Sequence, residues 1–170
     1  MSGELLVLRL VHVLGGIFWV GGMMYANFFL APALRQAGPA AATVMAGLQQ
    51  RKAFVWLPVI ALITILAGIR LMMISSLGFQ PAYFAAAPGK VYLAAGTASV
   101  IALVVGLAVV RPGMQRMAGI GARIASAPES ERAAMQAEMA RLGSRGAAMQ
   151  ALVTWLLIFA AAGMAVGRYV

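Results

Sequence analysis

The sequence predicts an all-α integral membrane protein, a four-helix bundle forming a single domain over residues 1–170. Three observations carry that expectation. Hydrophobic residues make up 63% of the chain and charged residues 10%, whereas a soluble domain is nearer a quarter charged. The mean hydropathy is +0.92. Four apolar runs, at residues 5–30, 53–78, 89–110 and 147–168, each reach the ~20 residues that a helix needs to cross hydrocarbon. Lipid offers the backbone no hydrogen-bond partner, so such runs are expected to be helices.

The net charge of +9 would suit nucleic acid, but its distribution points to topology instead. Arg35, Arg51 and Lys52 lie in or beside the first loop, and Arg111, Arg116, Arg123, Arg132, Arg141 and Arg145 in the third. The second loop, "QPAYFAAAP", carries no charge. Positive loops stay on the cytoplasmic side. Loop 111–146 is therefore expected in the cytoplasm and both termini outside, in a multi-pass protein of a bacterial inner membrane. The expected partners are the lipid bilayer, anionic lipid at the basic face and a second copy of the chain, with no nucleic acid. The first run does not read as a cleavable signal, because "MSGE" is acidic and the apolar stretch is too long. With no cysteine, disulfides and thiolate metal sites are excluded.

The first span, "LRLVHVLGGIFWVGGMMYANFFL", holds the only histidine of the chain. Arg9, His12, Gly16, Trp19, Met23 and Asn27 follow helical steps of three and four and share a face. Gly15 and Gly16 leave a notch one turn from His12, wide enough for a flat group or another backbone. In the second span Arg70 shares a face with Ile63, Ala67 and Met73, while Thr64, Gly68 and Ser75 line the neighbouring one. The third span opens on Lys90, and Ala94, Ala98, Ala102 and Gly106 form a small-residue packing ridge. In the third loop, Ser126 with Glu129 has capping-box spacing. Pro128 suits a first turn and Gly143 a stop, which predicts a short amphipathic helix that lies on the membrane or extends the fourth span inward. In the fourth span Thr154, Ala161, Met164 and Arg168 align, with Gly163 and Gly167 on another face.

Depth brings these residues together. At ~1.5 Å per residue, Arg9 and His12 lie about 6–10 Å in from the outer end, and Arg70 on the outward-running second span falls nearby. Lys90 and Arg168 mark the same side. Only Glu4 is at hand as an acid, so an anionic ligand is expected to complete the cluster, since an unpaired charge in the membrane costs several kcal/mol. Snorkelling to headgroups accounts equally for Lys90, Arg168 and Arg9, and a hydrogen bond to a backbone carbonyl would satisfy His12 with no ligand at all.

"RLVHVLGGIFWVGGMMYANFFLAPALR" resembles the first span of the copper-resistance D-type membrane domains, which share a His followed by a Trp-x-Gly-Gly element, here His12, Trp19, Gly21 and Gly22. "GLQQRKAFVWLPVIALITILAGIRLM" is similar to their basic lead-in and second span. A distant similarity to the J-type membrane protoporphyrinogen oxidases falls on His12 and Lys90. In that group the first-span His is associated with b-type haem, so the resemblance implies haem b on His12. A lone histidine departs from bis-histidine ligation and leaves the second axial ligand open.

The residue chemistry agrees with haem. An imidazole supplies one axial ligand, Gly15, Gly16 and Trp19 frame an approach, and Arg9, Arg70 and Lys90 would meet the carboxylates. Such a site would serve electron transfer or a haem-dependent oxidoreductase. Copper handling is the second reading, with His12, Met23, Met72 and Met73 as soft ligands, though the cations oppose a Cu(I) path. The third is a non-catalytic membrane subunit or scaffold. No nucleophile elbow, phosphate loop or zinc-protease motif is present.

Overall fold

We describe residues 3–124 and 126–170 of the chain in a computed structural model. Helix follows helix, and among the described residues there is no strand. Four helical segments are long and apolar enough to cross a membrane: Gly3–Gln36, Ala53–Ser75, Ala87–Ile124 and Glu129–Tyr169. Large apolar side chains such as Leu14, Ile17, Leu66, Val104 and Phe159 cover their outsides. Lipid suits such a surface and water does not, which marks a multi-pass membrane protein.

The segments are longer than the apolar runs because helix continues past the greasy residues. Helix α1 (Gly3–Tyr25) passes through a π turn at Ala26–Leu30 into α2 (Ala31–Gln36). Helix α3 (Ala41–Gln50) leads to α4 (Ala53–Ser75). There the chain turns: the buried Ser76 hydroxyl accepts the Phe79 N–H at 2.8 Å, and Leu77, Gly78 and Phe79 all take positive φ. Short α5 (Pro81–Ala85) then packs on α6 (Ala87–Val105). Gly89 permits that contact, since a Cβ there would run into the Tyr83 carbonyl. Burial, and secondarily Tyr92, raises the Tyr83 phenol above its ordinary pKa.

The third loop takes one of its two expected forms, a helix that extends the fourth span, but with different boundaries. After a π turn at Gly106–Val110, α7 (Arg111–Ile124) prolongs the third span. Helix α8 then runs unbroken from Glu129 to Val166, so Gly143 does not stop it. The hydroxyl of Ser126 donates to the Arg123 carbonyl and caps nothing in α8, whose N-cap position is Pro128. Tertiary packing explains the difference. Half-buried Met135, Met139 and Leu142 lie on the part of α8 that packs along α7, and Gly143 sits beside Met117. That contact outweighs the ~1 kcal/mol helix penalty of a glycine. The result is a two-helix hairpin continuous with spans three and four.

Within the bundle, α1 packs along α4 and α6 along α8, with narrower contacts from α1 to α8 and from α4 to α6. Trp19, Ala61, Ala102, Val153 and Leu157 form the central core, with Met23 and Leu57 against it. Ala95, Ala98 and Ala160 make a second cluster. The packing ridge of α6 thus uses Ala95, Ala98 and Ala102, while Ala94 is exposed.

Candidate functional site

Above the Trp19 core, towards the end that bears both termini, the four helices line a partly open cavity of about 700 Å³. Its size lies within the ~300–1,000 Å³ of ligand sites. Helix α1 contributes His12, Gly16 and Trp19 to the wall, and α4 contributes Thr64, Gly68 and Met72. From α6 come Gly96, Thr97 and Ser99, and from α8 Ala161 and Met164. The lining is mainly apolar, so the few polar groups decide what it can hold.

His12 is held against α4 by close approach of two backbones. A Cβ at Gly15 would collide with the Thr64 hydroxyl, and one at Gly68 would lie 2.7 Å from His12 Cε1. The imidazole slots into the space that these glycines leave. Its Nδ1 lies 2.8 Å from the Thr64 carbonyl oxygen. A carbonyl only accepts, so Nδ1 is the donor and Nε2 of the neutral ring carries the lone pair. The Thr64 hydroxyl is engaged elsewhere, donating to the Ile60 carbonyl at 2.8 Å. Among the described residues Nε2 has no hydrogen-bond partner. An imidazole oriented through one nitrogen onto a backbone carbonyl is a geometry shared by metal-bound histidines and by histidines that only tie two helices together.

The expected cation cluster does not surround this site. Arg70 lies roughly 200° around α4 from Gly68, at ~100° per residue, and turns outward. Its Nη2 is 2.6 Å from Glu4 Oε1, its Nε is 2.8 Å from the same oxygen, and Nη1 reaches Met73 Sδ at 3.7 Å. Arg9 and Lys90 are exposed and outside the cavity wall. Arg168 sits 4.8 Å over the Tyr169 ring. Of the soft ligands, Met72 joins His12 at the cavity, Met23 packs on the core and Met73 faces outward. Among the described residues no cluster of three His, Cys, Asp or Glu side chains could hold a metal ion.

The structure therefore joins His12, Gly16, Trp19 and Met72 in one wall, with Gly15 one layer behind, and separates them from Arg9, Arg70, Lys90, Met23 and Met73. It adds Gly68, Gly96, Thr97, Ser99 and Met164. Gly68 carried a signal as a small residue four after Thr64. The Thr64 carbonyl carried none, because every residue has one. Compared with known proteins, the chain matches no family model, no curated protein and no solved structure.

Proposed function

We propose that the protein is a haem-binding protein of the bacterial inner membrane, with both termini outside, and that His12 would hold haem b through Nε2. One observation carries the reading: the only imidazole of the chain has Nδ1 committed to a backbone carbonyl and Nε2 uncommitted, on the wall of a large apolar cavity. The lining fits the macrocycle, and among the described residues no cation lines the cavity to meet its carboxylates. Gly16 and Gly96 add no side chain to the wall, and the apolar lining suits a macrocycle. The similarity of the first span to the copper-resistance D-type domains, and of His12 to the haem-associated His of the J-type oxidases, supports the same reading.

When bound, haem supplies one-electron transfer. The residues of the chain do the rest. Thr64 fixes the tautomer and tilt of His12, Gly15 and Gly68 let the ring reach that carbonyl, and Trp19 closes the cavity floor. Arg70 is satisfied by Glu4 and has no part in this reading. Copper handling keeps only His12 and Met72 of its expected ligands at the cavity.

Purified protein supplied with haem should show a Soret band that His12→Ala removes and that Thr64→Val, which retains the carbonyl, preserves. A colourless wild type that haem titration leaves unchanged overturns the reading, as does a Soret band indifferent to His12→Ala.

A further inference from the structure

At the end of the bundle opposite the termini, charge is sorted by distance from the apolar spans. Counted from the apolar runs at ~1.5 Å per residue, Arg111 and Arg145 lie within about 3 Å of the hydrocarbon edge, and Arg116 and Arg141 about 9 Å from it. Arg51 and Lys52, directly before α4, and Arg35, in the last turn of α2, join them at that level. These seven cations are all exposed. Among the described residues none of them has a carboxylate within ion-pair distance. Farther out, about 14–27 Å from the edge, the hairpin carries Glu129, Glu131 and Glu138 against Arg123 and Arg132. There Arg132 already lies 3.9 Å from Glu129.

This sorting favours one kind of partner. The potential of a charged headgroup layer decays within about 8–10 Å at physiological salt, so cations are useful near the edge and of no use at the tip. An acidic protein gripping the hairpin would meet a tip with more carboxylates than arginines. Guanidinium groups also match phosphate oxygens in bidentate geometry. We propose that the basic collar, centred on Arg111, Arg116, Arg141 and Arg145 of the hairpin base, is a binding surface for anionic phospholipid, a phosphodiester headgroup of net negative charge. The mixed-charge tip stands clear of the membrane in water.

The test uses the full chain in nanodiscs of mixed phosphatidylcholine and phosphatidylglycerol, extracted gently and examined by native mass spectrometry for retained lipid. Wild type should retain phosphatidylglycerol over phosphatidylcholine, less so as salt rises. The double variant Arg141→Gln/Arg145→Gln should lose about fivefold in that preference for each cation removed, while Arg123→Gln/Arg132→Gln at the tip leaves it unchanged. Glutamine is about as good a helix former as arginine, and circular dichroism confirms the hairpin. If the collar variant unfolds, Arg35→Gln outside the hairpin serves in its place. Equal retention of the two lipids by wild type, or a loss from the tip pair as large as from the collar pair, overturns the proposal.

Discussion

Helices α6 and α8 meet through Ala95, Ala98 and Ala160 with Gly163 beside them, whereas α1 and α4 meet through an imidazole, a backbone carbonyl and an ion pair. No side-chain hydrogen bond joins α6 to α8 among the described residues; Ser99 and Thr154 donate to carbonyls of their own helices. Association in lipid has no hydrophobic drive and relies on close packing and interhelical hydrogen bonds. One pair uses the first means and the other combines both. The small-residue pair is a scaffold insensitive to chemistry. The polar pair leaves one nitrogen of a half-buried ring over for something else.

The largest effect should come from prying the scaffold apart. A Cβ at Gly163 would already lie 3.0 Å from the Ala95 Cβ, so Gly163→Leu must push α6 away. It should cost about 3 kcal/mol in detergent unfolding, against almost nothing for Phe159→Leu on the lipid face. Equal costs would show that α6 and α8 are not packed as described.

Two glycines of the cavity wall sharpen the comparison at intermediate size. Gly68→Ala puts a methyl group 2.7 Å from His12 Cε1, displacing the ring, and should cost about 1–2 kcal/mol while lowering bound haem. Gly96→Ala on the opposite pair meets only Met72 Cε at 3.7 Å. That variant should be neutral or gain up to about 1 kcal/mol, as expected for a helix-interior glycine. Haem content unchanged in Gly68→Ala would separate His12 from the cavity.

The smallest effect is expected at the ion pair. The Arg70 and Glu4 side chains are 45% and 51% exposed, and such pairs contribute about 0.2–1 kcal/mol. Arg70→Leu should fall in that range, Glu4→Gln should match it, and neither should alter haem per protein. A loss of haem in Arg70→Leu alone would return the arginine to the site.

Periodicity served these spans unequally. His12, Gly16 and Trp19 fell together because one helical face carried all three in sequence. Arg9, on that same face, is exposed, and Arg70, which depth alone places near His12, pairs with Glu4 on another side of α4. Equal depth does not mean equal azimuth. A nearly uniform apolar helix such as α4 gives no contrast from which to tell its inward side. Gly143 misled for a related reason: the stop signal is local, and the α7 surface that carries the helix onward is not.

The amino-acid sequence by itself determined four apolar spans, their even count, the bias of cations to one end and the presence of a single imidazole, because length, hydropathy and charge are properties of residues taken singly. Only the tertiary structure decided that α1 pairs with α4, that His12 donates to Thr64, that Glu4 satisfies Arg70 and that Met164 shares a wall with His12. In lipid every outward face can be apolar, so the choice of inward face falls to backbone approach at glycine and alanine and to a carbonyl acceptor that no side chain announces.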